Sequence, residues 1–392
     1  EDWRFDRDGS LRALKRHFKV QSLEGYGLAD DAPVVSAAGA LIEYLEETQR
    51  GACAHVRTIR RVESASHLVL DRATRACLEL VRTQRDGRRE GTLLEAIDRT
   101  STPMGGRLVR EWLLAPLVVV EAITYRQKGV AELVDAPFLR EELRDLLGGV
   151  LDVERLAAKI STGRANARDL VGLGRSLAVT PKLRALLENV WSEALGDVLQ
   201  ALDPLEDVTG RIERTLVEAP PLAIREGGLI RPGFSAELDE LRQIAGEGKS
   251  WMARFQAEEA ARTGINGLRI SYNSVFGYFI EVPRGQIERV PEHYVRKQTI
   301  KNCERYVTES LKEFEEKVLK AEERSRDLEQ ELFLELRDAV AGELARILDT
   351  AEALARLDVL AGLAETAAKN RYVAPTLDNG ETLSLHVPGE GF

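Results

Sequence analysis

The sequence is poor in cysteine and histidine, and each shortage excludes a class of site. Three cysteines, Cys53, Cys77 and Cys303, lie far apart in a chain of 392 residues, with no Cys-x-x-Cys pair and no histidine at ligand spacing. A disulfide framework and a zinc site are therefore not supported, and free thiols in a reducing compartment are expected. The 5 histidines are scattered singly, and none forms a local nucleophile motif with a serine or cysteine.

Aromatic residues are few, and the sequence has neither an excess of positive charge nor a long apolar run. Aromatic residues make up 6% of the chain, and 55 Lys and Arg side chains face 65 Asp and Glu, which gives a net charge of −10. A nucleic-acid binder that is basic over its whole surface is therefore excluded. No apolar run of about 18 residues could span a bilayer, so we expect a soluble, cytoplasmic protein. With 44% hydrophobic and 31% charged residues, the composition favours a folded protein of long solvated helices, and the length favours two or three domains.

From residue 10 to about residue 210 the sequence favours a succession of short helices. Apolar residues recur at steps of three and four, and glycine, proline or aspartate interrupts them. The best-defined helix start is Thr102 followed by Pro103, a capping hydroxyl before a proline at the first helical position, and Pro116 ends this helix. These patterns predict a compact, multi-helical core.

A different organisation begins at Ser235, where two long helical patterns enclose a short stretch of strand periodicity. Apolar residues step by three and four through 235–262 and again from Asn302 onward, which is typical of an antiparallel coiled coil. On both sides of residues 273–277, apolar and polar residues alternate as in an antiparallel hairpin. We therefore expect a mainly α protein in which a long antiparallel coiled-coil lever carries a small antiparallel β clamp at its tip.

Two short motifs suggest enzyme chemistry, and both are better explained by helix structure. The run GEGKS at 246–250 resembles the end of a phosphate-binding loop, but that pattern needs a glycine where Gln243 stands and a preceding strand. Paired glutamates such as Glu315 and Glu316 alternate with lysine and arginine, as on a solvated helix face. We predict no catalytic residue, no cofactor and no metal in this chain.

Positive charge is concentrated in one stretch, residues 284–305, whose six cations and three glutamates give a local charge of +3. Neutral hydrogen-bonding side chains accompany the cations. This mixture is suited to phosphate oxygens, which hold a protein on a duplex without reading its bases. The candidate DNA-binding residues are Tyr278, Arg284, Arg296, Lys297, Gln298, Thr299, Lys301 and Asn302. From charge alone, a basic loop that balances acidic helices is an equally good interpretation.

Long motifs shift that balance toward DNA. The runs GLRISYNSVFGYFIEV at 267–282 and YVRKQTIKNCERY at 294–306 closely resemble the clamp of the MutS family of DNA mismatch repair proteins. In the same order, LDRATRACLEL at 70–80 resembles a family segment in which asparagine is usual at the position of Cys77. The runs LLEAIDRT at 93–100 and TPMGGRL at 102–108, and then DVERL with GRANARDL between residues 152 and 170, are similar to the family core.

This resemblance implies a division of the chain. It comprises a core helical domain at 1–234 whose first residues are the remnant of a connector, an outgoing lever helix at 235–262, a β clamp at 263–301, a returning lever helix at 302–350, a core helix at 351–375, and the start of a truncated ATPase domain at 376–392. We expect a piece of a longer protein that lacks the mismatch-binding domain and the ATPase domain. Only the full-length protein is expected to be a DNA-dependent ATPase that uses ATP and magnesium.

The resemblance also implies partners. Double-stranded DNA would contact the clamp through its phosphate backbone, the full-length protein would form a dimer, and MutL would be a further partner of a nucleoid-associated bacterial protein. Two other interpretations stay open. One is a MutS homologue acting in recombination, and the other is a coiled-coil scaffold that binds proteins and no DNA.

Overall fold

The computed structural model of the chain describes residues 2–23, 26, 28–30, 33–49, 56, 59, 66–273 and 277–380. It divides into two compact units, the first formed by Glu1–Ala165, Asp169–Ile212 and Arg337–Phe392, and the second by Asn166–Arg168 and Glu213–Leu336. The architecture is mainly α with one small antiparallel sheet, which confirms the predicted fold class. No helix among the described residues combines the length and the apolar character needed to cross a bilayer.

The helices are numbered in chain order. They are α1 (Arg7–Phe18), α2 (Val34–Gln49), α3 (Arg72–Cys77), α4 (Leu93–Ile97), α5 (Pro103–Leu114), α6 (Val120–Asp135), α7 (Pro137–Gly148), α8 (Val153–Ser161), α9 (Ala167–Leu177), α10 (Thr180–Leu186), α11 (Glu193–Ala201), α12 (Glu206–Thr215), α13 (Ala236–Thr263), α14 (Glu309–Gly342) and α15 (Leu344–Asn370). Of the segment predicted to start an ATPase domain, 376–392, the structure describes only residues 376–380, and the rest lies outside the described residues.

Helix α15 is the centre of the first unit. It packs against α5, α6, α7, α8 and α11, and residues such as Leu354, Val359 and Leu360 are buried on different sides of it. A helix that is apolar on all sides is stable only when other elements cover it completely. At Gly362 the backbone of Arg99 comes so close that a β-carbon would lie 3.0 Å from its carbonyl carbon, so only glycine fits without a shift.

A buried carboxylate joins α15 to the start of α5. The Asp358 carboxylate accepts hydrogen bonds from the backbone N–H of Ser101 (2.8 Å), the backbone N–H of Thr102 (2.8 Å) and the Thr102 hydroxyl (2.7 Å). Thr102 in turn caps α5, since its side chain accepts from the N–H of Gly105, as the sequence predicts. Burial raises the pKa of Asp358 above its ordinary value, and the three hydrogen bonds oppose that shift.

The first helices have a hydrophobic cluster of their own. Leu14, Leu23, Leu28, Val35 and Ile42 are buried together, and they come from α1, α2 and the segment between them. Helix α1 begins at an N-cap aspartate and ends in a left-handed residue, so its bounds follow from local chemistry. These helices therefore complete a local core with few contributions from later parts of the chain.

The second unit contains the sheet, which consists of β1 (Arg269–Asn273), β2 (Gly277–Pro283), β3 (Val295–Thr299) and β4 (Cys303–Val307). The strands lie in the order β1-β2-β4-β3, and all neighbours are antiparallel. The first two form the hairpin that alternation in the sequence predicts, while its turn at 274–276 lies outside the described residues. One face of the sheet covers a cluster whose buried members include Ile280, Val282 and Tyr306.

The returning helix is shorter than predicted at both ends. The sequence predicts helix at 302–350, but 303–307 forms β4, α14 begins only at Glu309, and Glu343 separates α14 from α15. The physical reason for the late start is that β4 pairs with a strand on each side, which fixes an extended backbone before the Thr308 hydroxyl caps the first turn of α14. Alternation in the sequence identifies neither β3 nor β4, but β3 lies within the predicted β clamp at 263–301, whereas β4 lies in the segment predicted as helix.

Contacts between α13 and α14 show that the two helices run antiparallel. The residue nearer the start of α13 contacts a residue nearer the end of α14, and the reverse holds for the second contact. Arg242 of α13 pairs with Glu329 of α14 at 2.8 Å, and Trp251 stacks on Phe314 with ring centroids 3.6 Å apart. Most positions predicted to form the apolar seam of α14 are buried, namely Leu311, Val318, Ala321, Ser325, Leu328, Leu336 and Val340, whereas Phe314 and Leu332 are only partly buried. Continuous coiled-coil packing stays a prediction. The GEGKS run lies inside α13, so the loop that a nucleotide would require is not formed there.

Candidate nucleic-acid interface

The polar residues predicted to contact DNA gather mainly at one edge of the sheet. Strand β3 is an edge strand, and all its side chains are exposed, as are Lys301 and Asn302 in the turn that follows. At the far end of β2, the backbone N–H of Arg284 donates to the carbonyl oxygen of Asn302 at 3.2 Å. Seven of the eight predicted residues therefore lie together; they are Arg284, Arg296, Lys297, Gln298, Thr299, Lys301 and Asn302. We call this set the basic edge.

A β-bulge at Lys297 distributes these side chains over both faces of the sheet. Arg296 is opposite Tyr306, Gln298 is opposite Arg305, and the register shifts between the two pairs. Lys297 is the extra residue of the bulge. In a regular strand Arg296 and Gln298 would lie on the same face, but the bulge places them on opposite faces. The basic edge therefore presents donors above, below and along the rim of the sheet.

Three cations of the basic edge are free to bind a ligand. The side chains of Arg284, Lys297 and Lys301 are exposed and make no hydrogen bond or ion pair with any residue that the structure describes. Arg296 is also exposed, but its guanidinium lies 3.5 Å from the carboxylate of Glu304. Exposed cations without an ion pair can neutralise backbone phosphates, and the counterions condensed on the duplex are then released.

Glu304 is a buried carboxylate behind the basic edge. It accepts hydrogen bonds from the Tyr306 hydroxyl (2.5 Å) and the Thr299 hydroxyl (3.4 Å). The hydrogen bond from Tyr306 is the main reason that the pKa of Glu304 lies below its ordinary value, and the charge of Arg296 acts in the same direction. Burial raises the pKa of Tyr306 to about 12, so the hydroxyl remains a donor at neutral pH. Glu304 is thus ionised and partly neutralises Arg296.

Arg305, on the neighbouring strand, is used inside the sheet. Its guanidinium pairs with Glu281 at 3.0 Å, donates to the side-chain oxygen of Gln298 at 2.9 Å and lies 4.4 Å from the ring centre of Phe279. Because the oxygen of Gln298 accepts from Arg305, its amide nitrogen is the group that can donate to a ligand. A donor amide is suitable for a phosphate oxygen.

Tyr278 is separate from the basic edge. It lies near the opposite end of β2 from Arg284, about 20 Å away at the usual rise per strand residue. Its half-buried ring packs against the hydrophobic cluster and lies 5.0 Å from the ring of Tyr272. Burial raises the pKa of Tyr278. Packing explains this residue without a ligand.

Glu304 is the site residue that sequence reasoning missed. A glutamate inside a basic stretch reduces the local charge, and nothing in its neighbours along the chain indicates that it is buried. The only signal is weak alternation in 303–307, where Glu304 and Tyr306 share one face of β4.

Comparison with known families agrees with the motifs. The family model described as MutS domain III matches residues 73–364, which is most of the chain. The chain belongs to the MutS family. A second model, MutS domain II, matches residues 1–57, the same part that folds around its own hydrophobic cluster. The similarity to MutS therefore includes the first helices, which the sequence interpretation placed in the core domain.

Individual MutS proteins are similar over nearly the whole chain. The protein named DNA mismatch repair protein MutS is 46% identical in Salinibacter ruber over 98% of this chain, and 47% identical in Symbiobacterium thermophilum over 97%. The protein of the same name from Lachnoclostridium phytofermentans is 42% identical over 98%. These matches cover 42%, 44% and 41% of the respective relatives, so the chain spans less than half the length of the MutS proteins it matches.

Proposed function

We propose that this chain is the part of a DNA mismatch repair protein that holds duplex DNA, and that the basic edge contacts backbone phosphates independently of base sequence. The observation that carries the proposal is a group of three exposed cations at one edge of the sheet, Arg284, Lys297 and Lys301, that form no ion pair with any described residue. Arg296, Gln298, Thr299 and Asn302 would add hydrogen bonds. Phosphate contacts fix position and orientation and carry no sequence information directly, which suits a protein that must act anywhere in a genome.

The long helices would transmit movement in the longer protein. In this proposal 263–301 is the clamp, α13 and α14 form the lever, and an ATPase domain outside this chain supplies the motion through ATP and magnesium. The support is that α14 is one helix of 34 residues, a rod about 50 Å long at the usual rise per residue. Dimer formation and binding of MutL belong to the same proposal for the full-length protein.

The proposal is tested by titrating this chain into a fluorescently labelled duplex and following the anisotropy between 50 and 200 mM salt. Binding should weaken as salt rises, with a slope of about −0.9 for each phosphate contact, and it should differ little between unrelated base sequences. A scaffold that binds only proteins would give no salt-dependent duplex binding, and that result would contradict the proposal.

Replacement of Glu304 by glutamine should strengthen duplex binding. Glutamine keeps one acceptor oxygen for the Tyr306 hydroxyl, and its NH2 group can donate to the Thr299 hydroxyl, but the negative charge that partly neutralises Arg296 is removed. If Arg296 then reaches a phosphate, the salt slope should steepen by up to about 0.9 and the affinity should rise several-fold at 150 mM salt. The same titration measures both quantities.

The matched control is Glu292→Gln, because Glu292 lies in the same basic stretch, is exposed and has no ion pair among the described residues. It makes the same change in net charge without releasing an arginine, so its effect should be clearly smaller. Equal effects of the two substitutions, or weaker binding by the Glu304 variant, would show that Arg296 is not restrained in the way described.

A further inference from the structure

An apolar groove crosses the first unit, remote in sequence from the basic edge. It lies between α6 and the segment that follows α15, and it has a volume of about 580 Å³. Its walls are mainly apolar, with Ile123, Val130, Val134 and Leu363 among the lining residues. On its rim Val373 is 87% exposed. Apolar surface of this kind is a common feature of sites that bind another chain.

The groove is also lined by a cation that has no anionic partner among the described residues. The guanidinium carbon of Arg126 lies 3.6 Å from the ring centre of Trp112, and both residues line the groove. Both also line a second cavity of about 270 Å³, where Arg356 is a further lining residue. Arg126 makes no hydrogen bond or ion pair with any described residue. Its flat face is covered by tryptophan, while its N–H groups have no acceptor in the part of the chain that the structure describes.

This arrangement is unfavourable without a ligand. Burial and, to a smaller extent, the nearby charge of Arg356 lower the pKa of Arg126 to about 10. A desolvated charge is costly unless an opposite charge with suitable hydrogen bonds accompanies it. A carboxylate matches the guanidinium fork and can accept two parallel hydrogen bonds.

The acidic residues around the site select among anions. Glu111 and Glu352 line the second cavity, and Asp135 lines the groove. They disfavour a doubly charged phosphate or a nucleic-acid backbone more than a single carboxylate. The apolar walls require apolar neighbours on both sides of that carboxylate.

We propose that this groove binds a peptide segment of a partner protein in which one aspartate or glutamate, flanked by apolar residues, pairs with Arg126. The carboxylate would lie over the edge of the Trp112 ring, and the flanking side chains would fill the groove toward Val373. The site is independent of the basic edge, so it can be tested without DNA.

The test uses acetylated, amidated and fluorescently labelled pentapeptides with aspartate at the centre and leucine, isoleucine or phenylalanine at the other positions. Each has a twin with asparagine at the centre. At least one aspartate peptide should bind this chain about tenfold or more tightly than its twin, a difference of about 1.4 kcal/mol. Arg126→Gln should abolish the difference, while Lys128→Gln, which removes an exposed cation from the same helix, should leave it intact.

A variant on the rim guards against misfolding of the Arg126 variant. Val373→Asp changes an exposed side chain, so the fold should survive. The added negative charge should weaken binding of the aspartate peptide several-fold and should weaken binding of its asparagine twin less. Absence of any aspartate preference across the panel would overturn the proposal. It would also be overturned by tighter binding of phosphoserine peptides, or by dimerisation of the chain that Arg126→Gln abolishes, since a different occupant would then fill the groove.

Discussion

Replacing Arg284, Lys297 and Lys301 together by glutamine is expected to weaken duplex binding about 100-fold at 150 mM salt. These cations make no hydrogen bond or ion pair with a described residue, and only Arg284 has a longer-range electrostatic interaction, with Glu304, so the substitution removes phosphate contacts while breaking few contacts inside the protein. Three lost contacts should reduce the salt slope by about 2.7. The measurement is the same anisotropy titration at several salt concentrations.

The matched control replaces Lys19, Lys128 and Lys182, which are exposed and lie in the first unit, by glutamine. It changes the net charge by the same amount and removes no residue of the basic edge, so it should alter affinity less than threefold. If both triple variants lose affinity equally, DNA responds to net charge alone, and the basic edge is not the contact surface.

Replacing Asp358 by alanine is expected to lower the free energy of unfolding of the first unit by about 4 kcal/mol. The change leaves the N–H groups of Ser101 and Thr102 and the Thr102 hydroxyl without their acceptor, and each unsatisfied buried donor costs about 1–3 kcal/mol. It also removes a negative charge from the N-terminal end of α5, where the helix dipole favours one. Urea denaturation followed by circular dichroism measures the loss.

Two further variants show whether the carboxylate is responsible. Asp358→Asn keeps the size and one acceptor oxygen, so it should lose about half as much stability as alanine. Asp338→Ala removes a carboxylate that is 76% exposed on α14 and should change stability by less than about 0.5 kcal/mol. A loss below about 1 kcal/mol for Asp358→Ala would mean that water or a shifted side chain satisfies the same donors.

The sequence predicted the features that depend on near neighbours. The cap of α5 needs only the Thr102 hydroxyl, which accepts from the N–H of a residue three positions later in the chain. The β1–β2 hairpin needs only alternation on both sides of a turn. The carboxylate that holds Thr102 in place lies 256 residues away, and no local pattern indicates that the two will meet.

The candidate site was predicted as a set of residues, and its geometry was not. Local charge located the basic edge, but β3 has five exposed side chains and no apolar alternation, so only its pairing with β4 makes it a strand. Tyr278 was included because of its position in the hairpin, and packing against the hydrophobic cluster separates it from the others. Burial of Glu304 depends on side chains from two strands and could not be inferred from either alone.

The central position of α15 has a consequence for synthesis. A ribosome makes the partner helices α5, α6 and α7 first, then the whole of the second unit, and only afterwards the helix on which they pack. At about 5–20 residues per second, the delay is on the order of ten seconds. During that interval the faces of the early helices that α15 covers lack their native partner, so the nascent first unit is at its most prone to aggregate before residues 344–370 emerge.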